Sequence, residues 1–175
     1  MLSKSTFKSL LIIVALLSGI VNLSAQGRYT SRLAQNGTIY FLEPKKLTDV
    51  TGIKKFEFDI TYVTTSDSAF VNFTALSDVA VKPTDIRLVY GSDNVYGCND
   101  SRLLFIDRNK SKYEIRMMCR LPITVIRSAF TSGTAPVFRF SLDGRTVSAT
   151  YKPSVWKKER SQITEMFNLI DITNN

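Results

Sequence analysis

Residues Pro136–Tyr151 read PVFRFSLDGRTVSATY, and the middle of that stretch decides the fold. Asp143-Gly144 sits between two runs in which apolar and polar residues alternate. Asp-Gly suits a type I′ turn, whose two central residues both need positive φ and whose twist matches that of the flanking strands. In that register Leu142 opposes Arg145, Phe140 opposes Val147, and Phe138 opposes Ala149. Pro136 then faces Tyr151. One face of the hairpin is apolar; the other carries Arg139, Ser141, Thr146, Ser148 and Thr150. A period of two with one wet face is the mark of an antiparallel sheet lying on a core.

Working outward, the same period recurs. In KKFEFDITYV (54–63) Phe56, Phe58, Ile60 and Tyr62 share one face, and Glu57, Asp59 and Thr61 the other. GTIYFLE (37–43), AFVNFTAL (69–76) and DIRLVYG (85–91) read as further strands, with turn chemistry in TTSDS (64–68). SRLLFID (101–107) and SKYEIRMMCR (111–120) read as a hairpin. The expectation is an all-β chain, an Ig-like β-sandwich of about seven short antiparallel strands. The Cys-Trp-Cys order of an antibody domain is missing, because the single Trp comes last.

Past the hairpin the period changes. In KPSVWKKERSQITEMFNLI, Val155, Trp156, Ile163, Met166, Phe167 and Ile170 fall on one arc at 100° per residue. This predicts an amphipathic helix over 154–171, with Ser154 as N-cap. Its face of Trp156, Ile163, Phe167 and Ile170 is expected to close over the chain's own sheet, or else to meet a partner. Exposed, it leaves a sizeable apolar patch in water. Lys157 and Lys158 stand in the first turn, where the helix dipole disfavours cations.

The opposite end, MLSKSTFKSLLIIVALLSGIVNLSAQG, has Lys4 and Lys8 before an apolar run from Leu10 to Val21, then small residues to Ala25. This is the layout of a secretory signal peptide. The run is about a dozen residues, short of the roughly 20 that a membrane span needs. The expected division is a cleaved leader over 1–25 and a single domain over 26–175, with no integral span in the mature chain. The Ser24-Ala25-Gln26 ending resembles signal peptides of the Bacteroidetes group, which implies a Gram-negative periplasm or cell surface. Asp67-Ser68-Ala69 resembles the short O-glycosylation motif of the same group, with Ser68 as acceptor.

The formal charge of +8 falls to +6 without the leader, which holds Lys4, Lys8 and no acid. The basic residues are scattered, and export argues against nucleic acid as a target. Cys98 and Cys119 are the only cysteines, and there is no histidine. Zinc sites, His-based triads and His-paired thiol nucleophiles all lack residues they need. In an oxidising compartment the expected fate of the two thiols is a structural disulfide. Counted along the 101–120 hairpin, Cys119 opposes Asp100 across a four-residue loop, or Cys98 itself across a two-residue turn. Glu57 and Asp59, two apart on one strand face, have a spacing compatible with glycosidase carboxylates, and Ser154 with Lys157 has a Ser-x-x-Lys spacing. Ordinary solvation of a wet face explains the first pair and helix capping the Ser154. No metal or cofactor is expected. The functional expectation is a non-catalytic exported envelope module that binds an envelope protein or glycan or serves as an accessory subunit. The alternatives are a secreted inhibitor or effector, and a carboxylate-dependent enzyme acting on carbohydrate or peptidoglycan.

Overall fold

A computed structural model describes residues 29–174; the leader lies outside the described residues. Two antiparallel sheets face each other. The first has six strands in the order β1-β2-β4-β5-β9-β8: β1 (Tyr29–Ala34), β2 (Gly37–Lys46), β4 (Lys55–Val63), β5 (Ser68–Ser77), β8 (Ser101–Asn109) and β9 (Lys112–Pro122). The second has five, in the order β3-β11-β10-β6-β7: β3 (Asp49–Thr51), β6 (Thr84–Tyr90), β7 (Asn94–Gly97), β10 (Val137–Leu142) and β11 (Arg145–Thr150). Two helices complete the described chain, α1 (Ile123–Thr131) and α2 (Pro153–Asn174). The expected seven or so strands are thus too few. The short strands β1, β3 and β7, and the helix α1, escaped the sequence reading.

The β10–β11 hairpin forms in the expected register, Leu142↔Arg145 through Phe138↔Ala149. Asp143 (φ 52°) and Gly144 (φ 71°) both have positive φ, as a type I′ turn requires. Alternation carries through to the core. Phe56, Phe58, Ile60 and Tyr62 of β4 and Val71, Phe73 and Ala75 of β5 are all buried. They meet Phe138 and Phe140 of the second sheet. Phe56 lies 5.2 Å from Phe73 and from Phe138 between ring centroids, and Phe73 lies 5.7 Å from Phe140. Offset and tilted aromatic contacts of this kind add to the area they bury.

The two helices close one margin of the sandwich. In α1, Ile126, Ala129 and Phe130 are buried. Phe130 touches Phe58 of the first sheet (5.2 Å), Phe138 of the second (6.4 Å) and Trp156 of α2 (6.4 Å). Trp156 also stacks on Tyr151 at 5.5 Å. Helix α2 therefore rests on α1 and on the end of β11. It begins at Pro153, a residue pre-set for the first helical position. Ser154 therefore lies within the first turn instead of capping it, and the helix runs past 171 to Asn174.

A bulge in β2 shows how the helix is keyed. The pairing of β2 with β4 slips between Leu42 and Lys45, at Glu43-Pro44, where a proline without an N–H does least harm. The extra residues restore Lys45 to the inner face, opposite Phe58, where it is 5% exposed. There its ammonium meets Glu159 of α2 at 3.0 Å and Gln162 at 3.3 Å. Among the described residues no helix is long and apolar enough to cross a membrane.

Candidate functional site

Cys98 and Cys119 stand as a disulfide pair, with Cα atoms 6.0 Å apart. Its place differs from the one expected. The β8–β9 turn tightens to Lys110-Ser111, because Asn109 pairs with Lys112, and a bulge follows between Leu103 and Phe105. Cys119 consequently faces Ser101, neither Asp100 nor Cys98. Cys98 belongs to the other sheet: its N–H donates to the Ile86 carbonyl (2.8 Å), extending the β6–β7 ladder. The pair thus joins the second sheet to β9 of the first, at the corner where the chain crosses between them. Cys119 shares the inward parity of Ile115 and Met117, and all three are buried.

The acids of β4 lie on the outer face, as the alternation requires. Asp59 is nonetheless only 1% exposed. Its carboxylate accepts from Asn72 Nδ2 (2.7 Å), its cross-strand neighbour, and from an Arg116 amino group (2.6 Å). The other terminal nitrogen of Arg116 donates to Thr74 Oγ1 at 2.8 Å. Glu57 pairs with Lys55 at 2.8 Å on the same strand. Both carboxylates that have glycosidase-compatible spacing are therefore engaged by cations. Arg116 was the missed partner; its outward parity on β9, opposite that of Ile115, is the signal in the sequence that places it on this face.

Ser68 does not lie in the 64–67 turn. It opens β5, half-buried, and pairs with Pro122 of β9. Its hydroxyl accepts from Arg120 Nε at 2.8 Å, beside a small cavity of about 250 Å³ lined by Asp67, Ser68, Asp100, Arg120, Leu121 and Pro122. Trp156, Ile163, Phe167 and Ile170 are each buried within the chain itself. The Arg127 guanidinium of α1 lies 5.0 Å over the Phe167 ring and makes a bidentate pair with Asp171, both bonds 2.7 Å. That pair holds the Asp171 carboxyl below the ordinary carboxylate range, chiefly through its hydrogen bonds. Burial raises the hydroxyl pKa of Tyr62, with Arg127 opposing the shift. Ser154 and Lys157 are exposed and line a shared shallow depression on α2.

Asp59, Glu57 and Asp171 are thus each paired with a cation, and the cysteine pair ties the two sheets together. Among the described residues no group of three or more metal-ligating side chains gathers. The chain matches no family model, no curated protein and no solved structure.

Proposed function

We propose that residues 26–175 form one non-catalytic module, exported to the periplasm or surface of a Gram-negative bacterium. It is an Ig-like sandwich in the loose architectural sense. It acts by binding an envelope protein or glycan, or as an accessory subunit. The observation that carries this reading is the inter-sheet cysteine pair, which suits an oxidising compartment and is rare in a reducing one. The leader-like sequence over 1–25 supports it, since only Gln26, Gly27 and Arg28 separate Ala25 from the first described strand. The engagement of Asp59 by Arg116 and Asn72 favours binding over carboxylate catalysis, which needs an acid free to move a proton.

The test is sedimentation of the purified chain with peptidoglycan and with isolated envelopes, followed by analysis of the supernatant. Retention in the pellet without released sugar fragments is expected. Fragments released by the parent but not by Asp59→Asn favour the enzyme instead. No retention on either material contradicts the envelope-binding role.

A further inference from the structure

A cleft of about 460 Å³ opens between the loop Gly133-Thr134-Ala135, which leads into β10, and the outer side of α2 at Pro153, Trp156, Lys157 and Arg160. That volume lies within the range of small-molecule sites. Its two walls are fastened to one atom. The Ser132 carbonyl accepts from Trp156 Nε1 at 3.3 Å and from an Arg160 amino group at 3.4 Å. Behind the cleft, Trp156 is held by its stack on Tyr151. The concavity is therefore built on packed elements and does not depend on a mobile flap.

Its chemistry is lopsided. Ala135, Pro153 and the edge of Trp156 supply apolar surface, while Lys157 and Arg160 supply positive charge. No carboxylate lines it. Elsewhere in the molecule cations lean on acids, as Arg116 does on Asp59 and Arg127 on Asp171. Among the described residues neither Lys157 nor Arg160 has such a partner. Two cations over an apolar floor complement an anion attached to a hydrocarbon body. The lysine that the helix dipole disfavours acquires a use at the same time.

We propose that this cleft binds a small organic acid with an apolar body. The carboxylate lies against Lys157 and Arg160, and the hydrocarbon lies on Ala135, Pro153 and Trp156. A planar guanidinium offers paired donors to a carboxylate, and such charge-assisted bonds are the stronger kind. This goes beyond the envelope-binding reading and does not depend on it.

Trp156 is the only tryptophan in the chain and lines this cleft, so its emission is the readout. Sodium octanoate is the probe, with octan-1-ol and octylammonium as neutral and cationic comparators, each below its aggregation threshold. A saturable change with octanoate is expected, and octan-1-ol should bind at least about tenfold more weakly, as loss of a charged hydrogen-bond partner predicts. Lys157→Gln removes an exposed ammonium that has no hydrogen bond among the described residues and should weaken octanoate several-fold, at unchanged melting temperature. Arg160→Gln should weaken it further. Ala135→Phe, which fills the cleft, should abolish the response, and its melting curve shows whether the fold is kept. Absence of saturable octanoate binding overturns the proposal. Equal binding of octan-1-ol overturns it too, as does a folded Lys157→Gln variant that binds like the parent.

Discussion

Asp59 shows what a single residue contributes on an otherwise solvated face. The carboxylate is 2% exposed at the side chain, and one Arg116 amino group and the Asn72 amide satisfy it. Removing it deprives Arg116, which is 28% exposed, of its carboxylate and leaves it the Thr74 hydroxyl. Asp59→Ala should therefore lower unfolding free energy by about 2 kcal/mol in a chemical denaturation series, as for hydrogen bonds to charged groups. Lys45 is the more demanding case, because both members of its pair with Glu159 are buried. Lys45→Met alone takes the ammonium away from a buried carboxylate and should cost about 3–5 kcal/mol, whereas Lys45→Met with Glu159→Leu should return most of that loss. A double-mutant cycle by urea unfolding reads the difference. Asp171 adds a pH term. Its folded pKa is depressed, so its stabilising effect is present above the unfolded carboxylate pKa and is lost as pH falls through the folded one. The pair is largely exposed, so the effect is small. Asp171→Asn should flatten the acid limb of the melting temperature–pH profile slightly, and leave the neutral limb's shape unchanged.

At the scale of elements, the β10–β11 hairpin and the inner faces of β4 and β5 were legible, because period-two alternation and an Asp-Gly turn act locally. Helix α1 was not. Its segment opens Ile123-Thr124-Val125-Ile126, three of them β-branched aliphatics and one a threonine, and Pro122 gives no side-chain cap. Local propensity points to a strand, and only packing of Ile126, Ala129 and Phe130 against both sheets selects a helix. The bulges escaped for a related reason. Glu43-Pro44 and Leu104 each reset parity by pairing geometry that no alternation rule registers; the turn at Lys110-Ser111 together with the Leu104 bulge is what sets Cys119 opposite Ser101. Helix α2 meets α1 through Trp156 on Phe130 and through Phe167 under Arg127, contacts between distant segments that the period along one helix does not encode. Phe167 is 1% exposed there and lies under Arg127. Phe167→Ala should cost about 3–5 kcal/mol in an isolated preparation, measured by denaturant unfolding. An unchanged midpoint contradicts the packing described for α2.

For the molecule as a whole, the sheets are held by an aromatic core, by the α1–α2 closure and by one covalent tie at the opposite kind of place, the β7–β8 crossover. The candidate chemistry of the sequence was only partly recoverable. The cysteine pair was visible by elimination, whereas the inter-sheet position of Cys98 depends on its backbone bond to Ile86, which lies twelve residues upstream on β6. The proposed export and the inter-sheet staple stand together, because a stable disulfide needs an oxidising compartment. A single intact-mass measurement reads both. The full chain is expressed in a Gram-negative host, recovered by osmotic release and measured without reductant after thiol blocking. The expected species begins at Gln26, carries no blocking group, and is two hydrogens lighter than the dithiol form. A chain that retains Met1, stays in the cytoplasmic fraction and takes up two blocking groups contradicts the exported, stapled sandwich.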